Sequence, residues 1–493
     1  MSGGKAEPAL FVIFGGTGDL AKRKLLPELA RALHAGGLEN DVHVVGVAPT
    51  AEFDDASYYE FVRGCLEQSI HSDAASQVSP ERIHYHTIGD GTPADYAALG
   101  KHLDTIETEH ELEGNRVYYL ALPPPVFPLA IRGLGEAGMN QGRGWRRLVI
   151  EKPFGKDLET AQALNNVLHR YFDEKQVYRI DHYLGKDTVQ NLLVLRFANS
   201  LLESAWSRDR VHSVQITACE SIGVGTRAGY YDQSGCMKDM IQNHLMQVLT
   251  LVAMEVPSAF EAEAIRYEKV KVLRRISEIK PEDVVFGQYT TGRVGNEKVP
   301  GYLDEPNVPD DSKTETFVAM KLMVDSWRWS GVPFYLWAGK RLPYRSSRIA
   351  VRFKPAPVSL FEVVGGRRAE RECLTDVLVI KLQPDEGFSL HVDVKRPGEP
   401  FALQEVPLSF DYDEAFEKIP GAYQTLLLDV LEGNQTLFVH ADEVEGSWKV
   451  LAPVLNAPPE PELYRAGEWG PKEAAKLAIP ESHLWQDAPK EDA

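Results

Sequence analysis

Residues 179–186 read Arg-Ile-Asp-His-Tyr-Leu-Gly-Lys, which sets a guanidinium, a carboxylate, an imidazole, a phenol and an ammonium within one octapeptide. That density of ionisable donors asks for an anionic, hydrogen-bonding ligand. The polar connector Asp173–Gln176 precedes it, and Asp187–Phe197 (DTVQNLLVLRF) follows with the apolar spacing of a helix. The cluster is therefore expected at a helix N-terminus, where free N–H groups and the helix dipole favour an anion such as phosphate. The competing reading is a polar loop held by a surface salt bridge.

A second constellation lies near the N-terminus. Gly15-Gly16-Thr17-Gly18-Asp19-Leu20-Ala21 contains Gly-x-Gly-x-x-Ala, the pattern whose glycines let a backbone turn tightly against a pyrophosphate. A lone pattern of this kind is weak, but here the continuous apolar run Ala9–Phe14 (ALFVIF) precedes it and the helical stretch Leu25–Leu33 follows. The strand–turn–helix context predicts a dinucleotide site. The tip of the second strand, Val42–Ala48, carries Pro49-Thr50, neither the acid that would bind a ribose hydroxyl nor the arginine that would take a 2′-phosphate. Two further strand ends hold unusual residues: Pro123-Pro124-Pro125, which fixes a loop where a cofactor would lie, and Glu151-Lys152-Pro153. Lys152 there could bridge nicotinamide and substrate, or be half of a surface Glu-Lys pair.

The third candidate is His244, within Met237–Glu255 (MKDMIQNHLMQVLTLVAME). Met237, Met240, Ile241, Val248, Leu249 and Val252 form one helical stripe that includes it. On spacing alone, a hydrogen-bonded core histidine is the simpler reading.

These residues need a large scaffold. The chain of 493 residues has room for two or three units, and 43% hydrophobic with 25% charged residues is a globular composition. A net charge of −19 argues against nucleic acid or an anionic membrane as the main partner. Cys65, Cys219, Cys236 and Cys373 show no CxxC spacing, so they predict neither a zinc site nor a disulfide framework. No apolar run reaches the ~20 residues of a membrane span, and the start MSGGKAEP lacks a signal-peptide core, which gives a cytoplasmic expectation.

Strand-like runs at Ile83–Thr87, Val117–Leu122 and Leu148–Ile150 alternate with helix-like Ala94–Thr108 and Val126–Ala137, predicting a doubly wound α/β sheet. Beyond it, Val211–Ala218, Ser312–Val324, Ile349–Phe353, Leu378–Gln383 and Ser389–Lys395 suit a mainly antiparallel α+β domain. Ala422–Glu432 and Glu443–Leu455 read as packing helices. The expected division is 1–181 for the dinucleotide-binding domain and 182–493 for a substrate and dimerisation domain, with a peripheral tail after Ala457.

Together, Gly15–Lys24, Glu151–Gly155 and Arg179–Lys186 resemble the glucose-6-phosphate dehydrogenase family, and later segments match in the same order over roughly residues 9–480. The resemblance implies oxidation of glucose 6-phosphate at C1 to the lactone, with hydride passing to NADP or NAD and no metal required. It makes His244 the general base and Asp181 the carboxylate that holds its tautomer, and adds Lys152 to the catalytic set. His182, Tyr183 and Lys186 would hold the phosphate; Glu220 and Asp239 would hold sugar hydroxyls; Lys340, Arg345 and Gln383 would also meet the substrate. On an α-helix Asp239 would lie roughly 140° from His244, flanking the base.

The coenzyme would rest on Gly15, Gly16, Thr17, Gly18, Asp19, Leu20, Thr50, Pro123 and Lys152. Arg179 and Gly185 read as scaffolding. Family members that use NADP usually carry arginine where this chain has Pro49, so NAD is expected to be tolerated beside NADP. A homodimer is implied, with a homotetramer as the alternative. Two other readings compete: a sugar oxidoreductase of the glucose–fructose oxidoreductase type, and a catalytically silent nucleotide-binding regulator.

Overall fold

A computed structural model describes residues 7–38, 41–69, 78–358, 375–398, 403–416 and 420–477. Cys373 and the chain beyond 477 lie outside these residues. The chain forms two compact units. The first takes the chain up to Lys186 with Ser258–Arg266 and Pro420–Glu445; the second takes Asp187–Pro257, Tyr267–Ile419 and the chain from Gly446. The division thus falls after Lys186, not at 181, and two later segments return to the first unit.

The first unit is built on six parallel strands, β1 (Ala9–Phe14), β2 (Val42–Ala48), β3 (Ile83–Thr87), β4 (Arg116–Leu120), β5 (Arg146–Glu151) and β6 (Val177–Ile180). Their order is β3-β2-β1-β4-β5-β6, the doubly wound arrangement whose strand order reverses beside β1. Every residue of β1, β2 and β4 is buried, as expected of strands covered on both faces, and this is why β1 reads as an unbroken apolar run and the others as mainly apolar ones. Among the described residues, five α-helices connect them: α1 (Leu26–Gly36), α2 (Asp55–Ser69), α3 (Pro93–Glu109), α4 (Phe127–Glu136) and α5 (Leu158–Tyr171). Helix α3 starts at a capping box, where the Thr92 hydroxyl accepts from the Asp95 N–H and the Asp95 carboxylate accepts from the Thr92 N–H. Leu426, Leu427, Val430 and Leu431 of helix Ala422–Glu432 bury into the same core as Leu26, Leu29 and Leu33 of α1.

The second unit holds a nine-stranded sheet of order β16-β15-β14-β13-β7-β12-β11-β8-β17. Its strands are β7 (Val211–Cys219), β8 (Val284–Thr290), β11 (Phe317–Met323), β12 (Pro333–Gly339), β13 (Ser346–Phe353), β14 (Val377–Gln383), β15 (Gly387–Lys395), β16 (Leu403–Asp411) and β17 (Glu462–Arg465); β9 (Gly292–Val294) and β10 (Glu297–Val299) form a separate hairpin. Pairing is antiparallel except between β7 and β12 and between β8 and β17. The tail is not peripheral as far as residue 477. Tyr464 on β17 is buried and its hydroxyl donates to the Lys340 carbonyl at 2.6 Å, and Ala474 is fully buried. A Pro- and Glu-rich composition concealed the four-residue strand.

Candidate active site

In the first unit, the residues singled out by type gather at the carboxyl edge of the parallel sheet. Gly15 and Gly16 leave β1 in a tight turn, both N–H groups donating to the Val47 carbonyl at 2.8 and 3.2 Å. Gly15 has φ +80°, and a Cβ on Gly16 would sit 2.8 Å from the Tyr58 hydroxyl and 2.9 Å from the Gly46 Cα. Only glycine fits there. The Tyr58 hydroxyl donates to the Gly16 carbonyl at 3.1 Å, a brace the sequence does not reveal.

Thr17, Gly18, Asp19 and Leu20 continue into one π-helical turn, Ala21–Leu25, before α1, so the helix starts differently from the expected Leu25–Leu33. Asp19 and Arg23 pair at 2.6 Å on the surface.

A cleft of about 550 Å³ opens beside this turn, lined by Gly15, Pro49, Ile88, Leu122, Val126 and Leu129 among others. Its mainly apolar walls suit a nucleobase and its glycine turn suits a pyrophosphate, so the residues present fit a dinucleotide. Pro49 stands in the wall where a 2′-phosphate arginine was sought. The Thr50 carbonyl accepts from the Tyr85 hydroxyl at 2.6 Å, and Pro123 opens the short turn that follows β4.

At the end of β5, Glu151 is buried and accepts from the Tyr119 hydroxyl at 2.6 Å and the Tyr423 hydroxyl at 3.0 Å. Burial pushes its carboxyl above the ordinary value, while the two tyrosines and Lys152 act in the opposite direction. Lys152 follows immediately and joins Pro153 through a cis peptide. This clamp on the residue preceding Lys152 was missed by sequence reasoning, because Tyr423 lies far along the chain.

The octapeptide begins inside β6, a strand the sequence reading did not anticipate. Arg179 is fully buried there; it donates to Glu174 at 2.5 Å and to the Asn165 amide oxygen at 2.9 Å, and its carbonyl accepts from the Val439 N–H. It anchors the strand, in line with a scaffolding part. Beyond Ile180 the chain makes two successive turns, Leu184 N–H to the Asp181 carbonyl and Lys186 N–H to the Tyr183 carbonyl, while the Asp181 carboxylate accepts from the Tyr183 N–H at 3.0 Å. These turns collect His182, Tyr183 and Lys186. The Lys186 ammonium lies 4.3 Å from the Tyr183 ring centroid, and the His182 and Tyr183 rings meet edge-on at 5.2 Å. Gly185 passes under helix Ala422–Glu432, where a Cβ would fall 2.4 Å from the Ala422 carbonyl oxygen.

In the second unit, strand register aligns four candidates along one sheet edge. Gly339 of β12 is level with Cys219 of the parallel β7, so the next residues, Lys340 and Glu220, leave the sheet together and their side chains form an ion pair. Ser346 of β13 is also level with Cys219, which places Arg345 at the same edge, and Ser347 is level with Gln383. Arg345 donates to the Gln383 amide oxygen at 3.0 Å. Buried Tyr231 links this edge to the next element: the Lys340 ammonium lies 5.1 Å from its ring centroid, and Asp239, Glu315 and Glu220 all act electrostatically on its hydroxyl.

That element is Met237–Leu245, which carries Asp239 and His244 and is a π-helix, not the α-helix expected; α-helix resumes at Met246. Its i→i+5 bonding changes the turn between residues five apart, so the roughly 140° separation expected on an α-helix does not apply to Asp239 and His244. Both are buried. Glu315 holds the start of this helix, its carboxylate accepting from the Met237 N–H at 2.9 Å, and burial pushes its carboxyl up to about 7.

Comparison with known proteins divides the chain a few residues further on, and counts the two returning segments with the C-terminal part. Residues 12–191 match the family model described as glucose-6-phosphate dehydrogenase, NAD binding domain, and residues 193–486 match its C-terminal domain. The chain is 44% identical to the glucose-6-phosphate 1-dehydrogenase of Aggregatibacter actinomycetemcomitans over 98% of each chain, and 42% identical to that of Bacillus subtilis over 97% of this chain and 98% of the relative. Among solved structures, a glucose-6-phosphate dehydrogenase in complex with its substrate glucose-6-phosphate superimposes with a TM-score of 0.87 at 35% identity, covering 96% of this chain and 97% of the other. The glucose-6-phosphate 1-dehydrogenase of Mycobacterium avium gives 0.81 at 32% identity, with the same coverage.

Proposed function

The chain belongs to the glucose-6-phosphate dehydrogenase family, and on that premise we propose that it oxidises glucose 6-phosphate at C1 to 6-phosphogluconolactone, with a nicotinamide dinucleotide as coenzyme. The observation that carries the reading is the gathering of His182, Tyr183 and Lys186 at the carboxyl end of β6, in the sheet whose first strand ends in the glycine turn. An imidazole, a phenol and an ammonium side by side are a donor set for a phosphate monoester. That phosphate set speaks against the glucose–fructose oxidoreductase alternative.

In this reading His244 accepts the C1 hydroxyl proton, and Asp181 holds its imidazole in the tautomer that can do so. Glu220 and Asp239 accept hydrogen bonds from sugar hydroxyls, which fixes the face of the ring. Lys340 pairs with Glu220 and orients its carboxylate, and Arg345 with Gln383 adds donors at the same sheet edge. The dinucleotide, when bound, supplies the hydride acceptor. Gly15, Gly16, Thr17 and Gly18 cradle its pyrophosphate, Asp19, Leu20, Thr50 and Pro123 border it, and Lys152 stands between coenzyme and sugar. With Pro49 in the cleft wall, NAD is used alongside NADP. The active form is a homodimer in the cytoplasm.

Replacing the base tests the mechanism. His244→Asn lowers kcat at least 100-fold with glucose 6-phosphate while binding is retained, the range expected for loss of a general base. Retention of most of kcat would overturn its assignment. Measuring free glucose in parallel separates the phosphate-dependent reaction from the alternative.

A further inference from the structure

Away from these residues, three imidazoles meet at the outer side of the six-stranded sheet. His84 is preceded on β3 by Ile83, which is level with Val44 of β2, and His84 itself is level with Val45, two residues along from His43. Residues two apart share a face, so His43 and His84 emerge on the same side of the sheet. His110 ends α3 on that side, its N–H donating to the Ile106 carbonyl at 3.0 Å. Nδ1 of His43 lies 3.1 Å from Nε2 of His84, and one ring nitrogen from each of the three histidines falls within 4.8 Å of the others. His43 and His84 are buried; His110 is exposed.

The carboxylate behind them is placed with equal definition. Asp55, the first residue of α2, accepts from the Tyr85 N–H through Oδ1 at 2.8 Å and presents Oδ2 to Nδ1 of His84 at 3.5 Å. A histidine whose far nitrogen faces a carboxylate has its tautomer set, with the lone pair left on the nitrogen that faces its neighbours. A single N–H···N hydrogen bond between His43 and His84 accounts for two of the nitrogens. It gives no reason for the third.

We propose that His43, His84 and His110 form a binding site for a divalent transition metal, Zn2+ in the first instance, that clips β2, β3 and the end of α3 together. Imidazole nitrogens suit Zn2+, Ni2+ and Cu2+, and three of them leave a fourth position for water. Zn–N bonds of about 2.0–2.1 Å in tetrahedral array separate the ligand nitrogens by ~3.3 Å, close to the spacing His43 and His84 already have. His110, exposed at a helix end, closes the remaining gap by a rotamer change and gives the ion a way in. Arg82 opposes a bound cation, and the Asp55 carboxylate offsets it. No part of the sugar oxidation runs through this cluster. Its task is to stiffen the sheet edge of the dinucleotide-binding unit.

The test uses the full chain without an affinity tag, freed of metal by a chelator. Zn2+ is titrated by calorimetry against a competing chromophoric chelator, in the wild type and in His110→Ala. The wild type binds one equivalent at least 30-fold more tightly than the variant does, and Zn2+ raises its melting temperature by several degrees while leaving that of His110→Ala unchanged. Co2+ in the wild type gives the visible absorption of a tetrahedral site; His110→Cys restores tight binding and adds a thiolate-to-cobalt charge-transfer band. Both variants oxidise glucose 6-phosphate at the wild-type rate. Equal stoichiometry and affinity in wild type and His110→Ala, or binding only at millimolar Zn2+, would overturn the proposal.

Discussion

Glu174→Gln tests what holds the octapeptide in place. Glu174 lies beside the fully buried Arg179 at 2.5 and 3.1 Å, accepts from the Ala441 N–H at 3.0 Å and meets His169 at 2.7 Å. Burial alone would raise its carboxyl, but the Arg179 guanidinium and the histidines win and bring it from 4.5 to about 2. With about 1.36 kcal/mol per tenfold change in proton affinity, this corresponds to ~3 kcal/mol. Because the folded value is the lower one, that stability is fully present above pH 4.5 and is lost as pH falls through about 2. Glutamine keeps the shape and removes the charge. It leaves Arg179 buried beside a neutral amide, a change expected to cost about 3 kcal/mol, the lower end of the range for a broken buried pair.

The readout follows from where the pair sits. Arg179 is two residues before Asp181, so the variant loosens the strand end that presents His182, Tyr183 and Lys186. Urea denaturation at pH 7 shows the loss, hydrogen exchange localises it to Val177–Ile180, and KM for glucose 6-phosphate rises several-fold with a smaller change in kcat. The gap between wild type and variant narrows as pH is lowered from 5 to 3. A loss below 0.5 kcal/mol at pH 7, or a gap that stays constant with pH, would refute the reasoning.

Two further substitutions address the two units. Glu315→Gln removes a carboxyl whose folded value, raised by burial to about 7, makes the wild type lose stability as pH climbs from 4.5 to 7; the variant's melting temperature should be flat across that window and exceed the wild type's at pH 8. A persistent wild-type slope would mean that another group titrates. For the coenzyme, initial rates should show less than a hundredfold preference for NADP in kcat/KM, and Pro49→Arg should raise the NADP:NAD ratio at least tenfold, or about 1.4 kcal/mol. A wild-type preference beyond a hundredfold would show that the cleft binds the 2′-phosphate through other groups.

The parts of the site that are local in sequence were readable from it. The glycine turn needs only a buried strand before it and a helix after it, and the octapeptide needs only its own side chains. What could not be read depends on partners far along the chain. Val177–Ile180 hides as a strand because it is short and carries Arg179, which is buried there through partners such as Glu174 and Asn165.

Geometry set by tertiary pairing was equally out of reach. Glu220, Lys340, Arg345 and Gln383 share an edge because β7, β12, β13 and β14 pair in one register, and no spacing rule contains that information. Helical periodicity also misled at Met237–Leu245, since every stripe argument assumes 3.6 residues per turn. The histidines of the sheet edge lay below notice for the same reason: they are scattered along the chain and meet only when β2, β3 and α3 are assembled.

The return of helix Ala422–Glu432 to the core of the first unit bears on how the protein is made. When residue 186 has been synthesised, all six parallel strands exist, but α1 still lacks Leu426, Leu427, Val430 and Leu431 to cover it. At about 5–20 residues per second, the roughly 240 residues in between take on the order of 12–50 s. During that interval the nascent dinucleotide-binding unit shows an apolar face to whatever is near the ribosome. A chaperone that shields such surfaces has its longest window here, and a fragment cut after Lys186 should aggregate where the whole chain folds.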